Sequence, residues 1–307
     1  MMNQPKIVCY GEVLWDIFPD GEKAGGAPFN VTYNLKKQGI DSRIISAVGY
    51  DELGDRLLAQ IKDWNIPLDE CQRYHNIPTG TVMATIDEKN EAHYQIVEDV
   101  AWDNIAWTPE NDALVRSSDA FVYGSLSARN ETSRNTLCRL IEAAPFKVFD
   151  INLRPPFYNP ELLSYLISKA NLVKLNKAEL REILDIYNKP YISEEESLRF
   201  LKEKFNTDEI LLTKGSRGAI HYSKGIATPC DAITVTVNDT VGSGDSFLAG
   251  YLAARASNAS VAEALYNAAA MGAFITTRSG ACPPYQLEDF EKFKQQNLPQ
   301  APFDKTA

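Results

Sequence analysis

Val235-Thr236-Val237-Asn238-Asp239-Thr240-Val241-Gly242-Ser243-Gly244-Asp245-Ser246-Phe247-Leu248-Ala249-Gly250-Tyr251 is the stretch around which the chain is organised. The β-branched residues alternating before Asp239 predict a strand, and Phe247, Leu248, Tyr251 and Leu252 recur at the spacing of one helix face. A strand is therefore expected to run through a tight turn into a helix. Gly242 and Gly244 carry no Cβ and tolerate positive φ, so several N–H groups of the turn can converge on one spot. With the positive end of the helix dipole behind it, that spot suits a phosphate or a developing oxyanion. Asp245 lies in the same turn, and a carboxylate does not bind phosphate. It fits better as a base on the hydroxyl that attacks a phosphate held by the 242–245 amides. An acid followed by a serine at a helix start also serves as a plain cap, an effect of roughly 1 kcal/mol.

Composition sets the frame for this reading. The chain has 307 residues, 44% apolar and 23% charged, ordinary for a globular protein with an ample core. Its net charge of −10 makes nucleic acid and anionic membrane surfaces poor partners. The five cysteines, at 9, 71, 138, 230 and 282, show no paired short spacing, which suggests neither a disulfide framework nor a zinc site and fits a reducing cytoplasm. No apolar run reaches the length of a membrane span, and Met1 to Lys6 do not read as a signal peptide.

Outward from the central stretch, strand and helix patterns alternate: a strand from Ile7, a helix from Pro28 to Gly39, a strand at 43–48 and a helix at 52–64. Further strands are expected at 120–124, 147–150, 172–175 and 209–213, with Val261–Thr277 and 288–295 helical. That rhythm implies a doubly wound, mostly parallel sheet flanked by helices. Residues 79–86 and 92–98 break it and read as an antiparallel hairpin in a small separate sheet.

Several polar groups fall where such sheets bind ligands, at strand carboxyl ends. Gly25-Gly26 before a helix lets a ligand lie against bare backbone, and Asn30 offers donors and acceptors for hydroxyls. Arg154, in Asp150-Ile151-Asn152-Leu153-Arg154, carries a fork that suits phosphate or carboxylate. Asn176 and Glu179 have capping-box spacing, and the same spacing places them on one side of a helix mouth, where they can share a hydrated Mg²⁺. The turn from Thr213 through Gly215 to Gly218 is either a hairpin or a nucleotide clasp. No Gly-x-x-x-x-Gly-Lys-Ser/Thr and no helix-opening Gly-x-Gly-x-x-Gly occurs, so the P-loop and dinucleotide-binding readings lack their phosphate cradle.

Asp239-Thr240-Val241-Gly242-Ser243-Gly244-Asp245 resembles the signature of the PfkB, or ribokinase-like, carbohydrate kinases. Gly25-Gly26 through Asn30 to Gly39 resembles their second signature, and Asn176-x-x-Glu179 their Asn-x-x-Glu motif. The resemblance spans nearly the whole chain and looks closest to bacterial fructokinases, with Asp-x-Asn-x-Arg also similar to 2-keto-3-deoxygluconate kinases. It implies one ribokinase-like domain over 1–307 with a small β-sheet lid from about 12–23 and 79–104. It further implies transfer from ATP to a primary hydroxyl of a monosaccharide, with Asp245 as base and Gly242, Ser243 and Gly244 in the anion hole. Asp16, Gly25, Gly26 and Asn30 would contact the sugar, with His93 and Arg154 as further candidates. Asn176, Thr213, Gly215, Gly218 and Asn267 would border the nucleotide. Glu179 would reach Mg²⁺ through water, and the Asp239 position would belong to a K⁺ site. The lid's outer face is the expected contact of a homodimer. Fructose is the expected substrate. A keto-deoxy sugar acid, whose carboxylate Arg154, Arg129 or His93 would meet, is the second reading, and a sugar-binding regulator without turnover a third.

Overall fold

The computed structural model describes residues 4–18, 21–86 and 92–297, with the side chains of 84–86 and 92–94 left aside. The chain begins with β1 (Lys6–Tyr10), β2 (Leu14–Phe18), β3 (Gly21–Gly25), α1 (Ala27–Lys37), β4 (Asp41–Gly49), α2 (Glu52–Asp63) and β5 (Cys71–Tyr74). There follow β6 (Gly80–Ile86), β7 (Ala92–Ile96), α3 (Pro109–Arg116), β8 (Ala120–Gly124), α4 (Glu131–Ala143), β9 (Lys147–Asp150) and α5 (Pro160–Lys169). The remainder is β10 (Leu172–Asn176), α6 (Lys177–Ile186), α7 (Glu194–Phe205), β11 (Glu209–Thr213), β12 (Ala219–Ser223), β13 (Ile226–Cys230), α8 (Ser243–Ala256), α9 (Val261–Thr276) and α10 (Leu287–Gln296).

Among the described residues, nine strands form the main sheet in the order β13-β12-β11-β10-β9-β8-β1-β4-β5. It is parallel from β5 to β11, and β12 and β13 add antiparallel at one edge. Strand order reverses at β1, which opens a crevice beyond the carboxyl ends of β1 and β8. Strand alternation divides the core. Val8, Tyr10, Phe121, Tyr123, Phe149, Val173 and Leu175 face α4, α5, α6 and α7, whereas Ile7, Cys9, Val122, Val148 and Leu172 face α1, α8 and α9. Strands buried on both faces are why these segments read as nearly continuous apolar runs.

The hairpin predicted at 79–98 forms as β6 and β7, which pair antiparallel and join β2 and β3 in a second sheet, ordered β3-β2-β6-β7. This small sheet ends sooner than expected. The turn at Ala101–Asn104 packs into the main core, with Ala101 and Trp102 fully buried, so residues beyond about 97 do not belong to it.

The strand expected at Val235–Val237 is absent. After β13 the chain runs irregularly across the end of α9, where the amides of Asn238 and Asp239 both donate to the Thr276 carbonyl. Val237 is largely exposed, and the β-branched run lines a cavity instead of adding a ladder beside β13. The helix after it is more buried than one apolar face requires: every residue from Ser246 to Ala253 is buried, since α8 lies between the sheet, α1 and α9. Among the described residues, no helix is long and apolar enough to cross a membrane.

Candidate active site

The turn into α8 is held open by one glycine. Gly242 has φ +74°, and a Cβ there would lie 2.3 Å from the Cβ of Ala281, so only glycine lets the 280–282 loop close against the turn. Ser243 N donates to the Thr240 carbonyl and Ser246 N to the Gly242 carbonyl, while no side chain caps the helix. The amides of Gly244 and Asp245 in its first turn are left to a ligand. Lys174 strengthens this positive end, because a Cβ on Gly244 would be 3.1 Å from its ammonium nitrogen.

Lys174, which the sequence places in an otherwise apolar strand, joins the candidate site. Alternation explains its position. Leu172 and Lys174 share a face of β10, Val148 and Asp150 share the matching face of β9, and Lys174 pairs in register with Asp150 beneath α8. Its ammonium nitrogen lies 3.0 and 2.9 Å from the two Asp150 oxygens, and both side chains are buried. Burial alone would lower the lysine's pKa, but the carboxylates of Asp150, Asp245 and Glu179 outweigh it and hold it above its ordinary value.

Asp245 lies at the bottom of the crevice, in contact with some solvent yet crowded by protein on every side. Burial pushes its carboxyl up to about 6; Lys174 opposes that, Asp150 adds to it, and a hydrogen bond from Asn30 and the charge of Arg154 oppose it again. The Asn30 amide donates to Asp245 Oδ2 at 2.8 Å. That contact joins the two signature segments, since α1 starts at the Gly25-Gly26 bend. Gly26 has φ +111°, and a Cβ there would meet the Glu12 carbonyl at 2.3 Å. Asp16, on β2, lies over Gly25, whose Cβ would be 2.7 Å from the Asp16 carboxylate. Burial raises Asp16 to about 6 against the charges of Arg154 and Lys23. A third acid, Glu12, was not anticipated: it is fully buried, accepts from the first amide of α1 at 3.3 Å, and is pushed up to about 7 by burial. Asp16, Gly25, Gly26, Asn30, Arg154 and Asp245 therefore converge on one side of the crevice.

A second cavity, of about 400 Å³, adjoins the other side of the α8 turn. Thr213, Gly215 and Gly218 line it together with Thr240, Ser243, Gly244 and apolar groups from 232–237 and α9. Asn267 is not among them. Its amide donates to the Gly250 carbonyl at 2.8 Å and to Gln38 at 3.0 Å, on the opposite face of α9, where it ties α9 to α8. A polar residue at a glycine-mediated helix crossing explains its place better than nucleotide contact does. The side chain of His93 lies outside the described residues.

Asn176 and Glu179 form the capping box that their spacing predicted. Asn176 Oδ1 accepts from the amides of Ala178 and Glu179, and the Glu179 oxygens accept from Asn176 N at 2.7 Å and Leu153 N at 3.1 Å. A second lone pair on each Glu179 oxygen is left to accept from a metal-bound water. Among the described residues, no group of three or more His, Cys, Asp or Glu is arranged to hold a metal. Asp239 is the position expected to belong to a monovalent-cation site. Its oxygens accept from Val241 N and Gly280 N, and the Lys23 ammonium lies 3.7 Å away. Burial would raise this carboxyl, but those amides and Lys23 hold it below its usual range. Arg129, a candidate for a carboxylate ligand, is buried and bound bidentate to Asp103, both contacts at 2.7 Å.

With this geometry, the chain matches the model of the pfkB family carbohydrate kinases over residues 3–287. The chain belongs to the pfkB family of carbohydrate kinases. It is 28% identical to "Probable fructokinase-6, chloroplastic" of Arabidopsis thaliana, over 92% of this chain and 80% of that one. It is 27% identical to a fructokinase of Solanum tuberosum, over 92% and 93% of the two chains. The fold resembles that of a fructokinase with bound ATP from Xylella fastidiosa, with TM-score 0.84, 22% identity and coverage of 95% and 98%. As a pfkB kinase the chain has its two signature segments bonded to each other through Asn30 and Asp245.

Proposed function

We propose that this pfkB kinase transfers the γ-phosphoryl group of ATP to the primary hydroxyl of fructose. The observation that carries the reading is the hydrogen bond between Asn30 and Asp245. It sets a carboxyl raised to about 6 between a sugar-facing diglycine bend and an uncapped helix N-terminus. In the reaction the hydroxyl proton passes to an Asp245 oxygen, the sugar oxygen bonds to the γ-phosphorus, and the bridging oxygen departs with ADP. A base with a pKa of about 6 is ionised at neutral pH yet basic enough to accept the proton. The amides of the α8 turn and the Lys174 ammonium face the charge that spreads over the transferring oxygens. The nucleotide fits the cavity beside Thr213, Gly215 and Gly218, and Mg²⁺ arriving with it would neutralise its phosphates, with Asn176 and Glu179 receiving metal-bound waters. The small sheet β3-β2-β6-β7 is the lid that would keep water from the crevice.

A neutral sugar is favoured by the charge of the crevice. Glu12, Asp16 and Asp245 lie together there, while Arg129 is spent on Asp103. Arg154 keeps a keto-deoxy sugar acid as the second reading, because it is an exposed guanidinium close enough to act on all three acids. ADP release measured across fructose, other hexoses, ribose and 2-keto-3-deoxygluconate decides among these and a non-catalytic sugar binder. The Asp245→Asn enzyme should bind fructose and ATP but lose about 10²–10⁴ in kcat. Near-normal turnover in that variant would refute the base assignment.

A further inference from the structure

Two asparagines one turn apart on α1, Asn30 and Asn34, each bridge the 281–285 segment to adjacent residues of α8. In the inner rung, the Tyr285 hydroxyl donates to Asn34 Oδ1 at 3.2 Å, and Asn34 Nδ2 donates to Ser246 Oγ at 3.2 Å. In the outer rung, the Cys282 thiol donates to Asn30 Oδ1 at 3.3 Å, and Asn30 Nδ2 donates to Asp245 Oδ2 at 2.8 Å. The rungs share a design, in which a donor from 281–285 takes the amide oxygen and the amide nitrogen reaches α8, the Asn34 nitrogen also donating to the Asn30 carbonyl at 2.9 Å. The segment is itself fixed to α1, because the Tyr33 hydroxyl donates to the Pro283 carbonyl. The inner rung ends on a buried serine and holds helices together; the outer one ends on the carboxylate in the crevice.

We propose that Cys282 is a positioning residue for phosphoryl transfer, fixing the Asn30 amide so that it donates to Asp245 and leaves the other carboxylate oxygen to receive the substrate proton. The inference rests on Asp245 being the base. The physical argument is one of amide polarity. An amide has a donor end and an acceptor end of nearly equal shape, and half a rotation of Asn30 would set a carbonyl oxygen against a carboxylate oxygen. A donor on Asn30 Oδ1 penalises that rotation. Burial and the nearby Asp245 charge keep the Cys282 thiol protonated, so it remains a donor throughout the working pH range.

The test compares C282A, C282S and Y285F with the unaltered enzyme, measuring kcat, KM for fructose, the pH profile of kcat and the melting midpoint. C282A should lose about 2- to 5-fold in kcat, the value of one weak neutral hydrogen bond. Its acid limb should move to higher pH, because a carboxylate with a less secure donor holds its proton more tightly. C282S, which keeps a donor, should recover both. Y285F, which cuts the inner rung, should lower the melting midpoint and leave the acid limb in place. The inference is overturned if C282A superimposes on the unaltered profile, if C282S loses as much as C282A, or if Y285F shifts the acid limb equally. D245N measured alongside separates the two levels: near-normal turnover there removes the base itself, whereas a dead D245N with an unperturbed C282A removes only the role of Cys282.

Discussion

Replacing Lys174 by Met takes the cation out of a cluster in which Asp150, Asp245 and Glu179 surround it. The Lys174–Asp150 pair is enclosed, with side chains 8% and 5% exposed and contacts at 2.9 and 3.0 Å. Removing one partner of such a pair strands a buried charge and costs about 3–5 kcal/mol. For a chain of this size that corresponds to a fall in melting midpoint of about 5–8 °C. Lys174, held above its ordinary value, withdraws its contribution only as pH rises past that raised pKa, so the loss is fully expressed below the ordinary lysine range. The same change acts on the base. Lys174 is the largest influence holding the Asp245 carboxyl down, and without it only the Asn30 hydrogen bond and the Arg154 charge oppose burial and Asp150, so its pKa must rise from about 6. Each unit of that rise corresponds to about 1.36 kcal/mol, and the acid limb of kcat/KM should move to higher pH by at least one unit. The double variant Asp150→Asn/Lys174→Met removes the stranded charge and its repulsion together, so it should recover most of the stability and return the acid limb towards its original position. The assay is coupled ADP release from pH 5 to 9 beside thermal unfolding. An unmoved acid limb in K174M, or a double variant no more stable than the single one, would refute the reasoning.

Three further outcomes are expected. Gly242→Ala forces a Cβ to within 2.3 Å of Ala281 at φ +74°, a strain of about 1–3 kcal/mol that must shift the α8 turn. Steady-state kinetics should therefore show a loss in kcat of about 10²-fold or more, as when an oxyanion donor is displaced. Glu209, at the far end of β11 from the nucleotide cavity, is held at about 2 because the hydrogen bonds and charges of His221 and Arg255 outweigh its burial. Its stabilising contribution is present above the ordinary carboxylate pKa and lost as pH falls towards 2, so E209Q should flatten the acid side of the melting curve against pH and leave kcat unchanged. With Lys23 beside Asp239, turnover should be equal in potassium and tetramethylammonium buffers, and activation by potassium would show that the lysine does not serve as the cation there.

What could be read from the sequence, and what could not, separates along a physical line. Glycines whose Cβ would collide with backbone or a neighbouring side chain, Gly26 and Gly242, mark their turns because no other residue fits, and that constraint is written in the chain itself. Parallel strands announce themselves as apolar runs because helices cover both their faces. Val235–Val237 carries the same local pattern and forms no strand, since the segment runs to the end of α9, where Asn238 and Asp239 bond to Thr276, instead of pairing with β13. Asn267 lies away from the nucleotide cavity for a related reason: spacing places a residue on a helix, but which face of α9 meets α8 depends on the close approach at Gly250. Lys174 was the more legible miss. A lysine inside an otherwise apolar strand is costly to bury unless a carboxylate stands opposite, and Asp150 ends the neighbouring parallel strand two residues after Val148, just as Lys174 follows Leu172. Cys282 had no such signal, because its role depends on the polarity of an amide more than two hundred residues away in sequence, and only the packed crevice brings the two together.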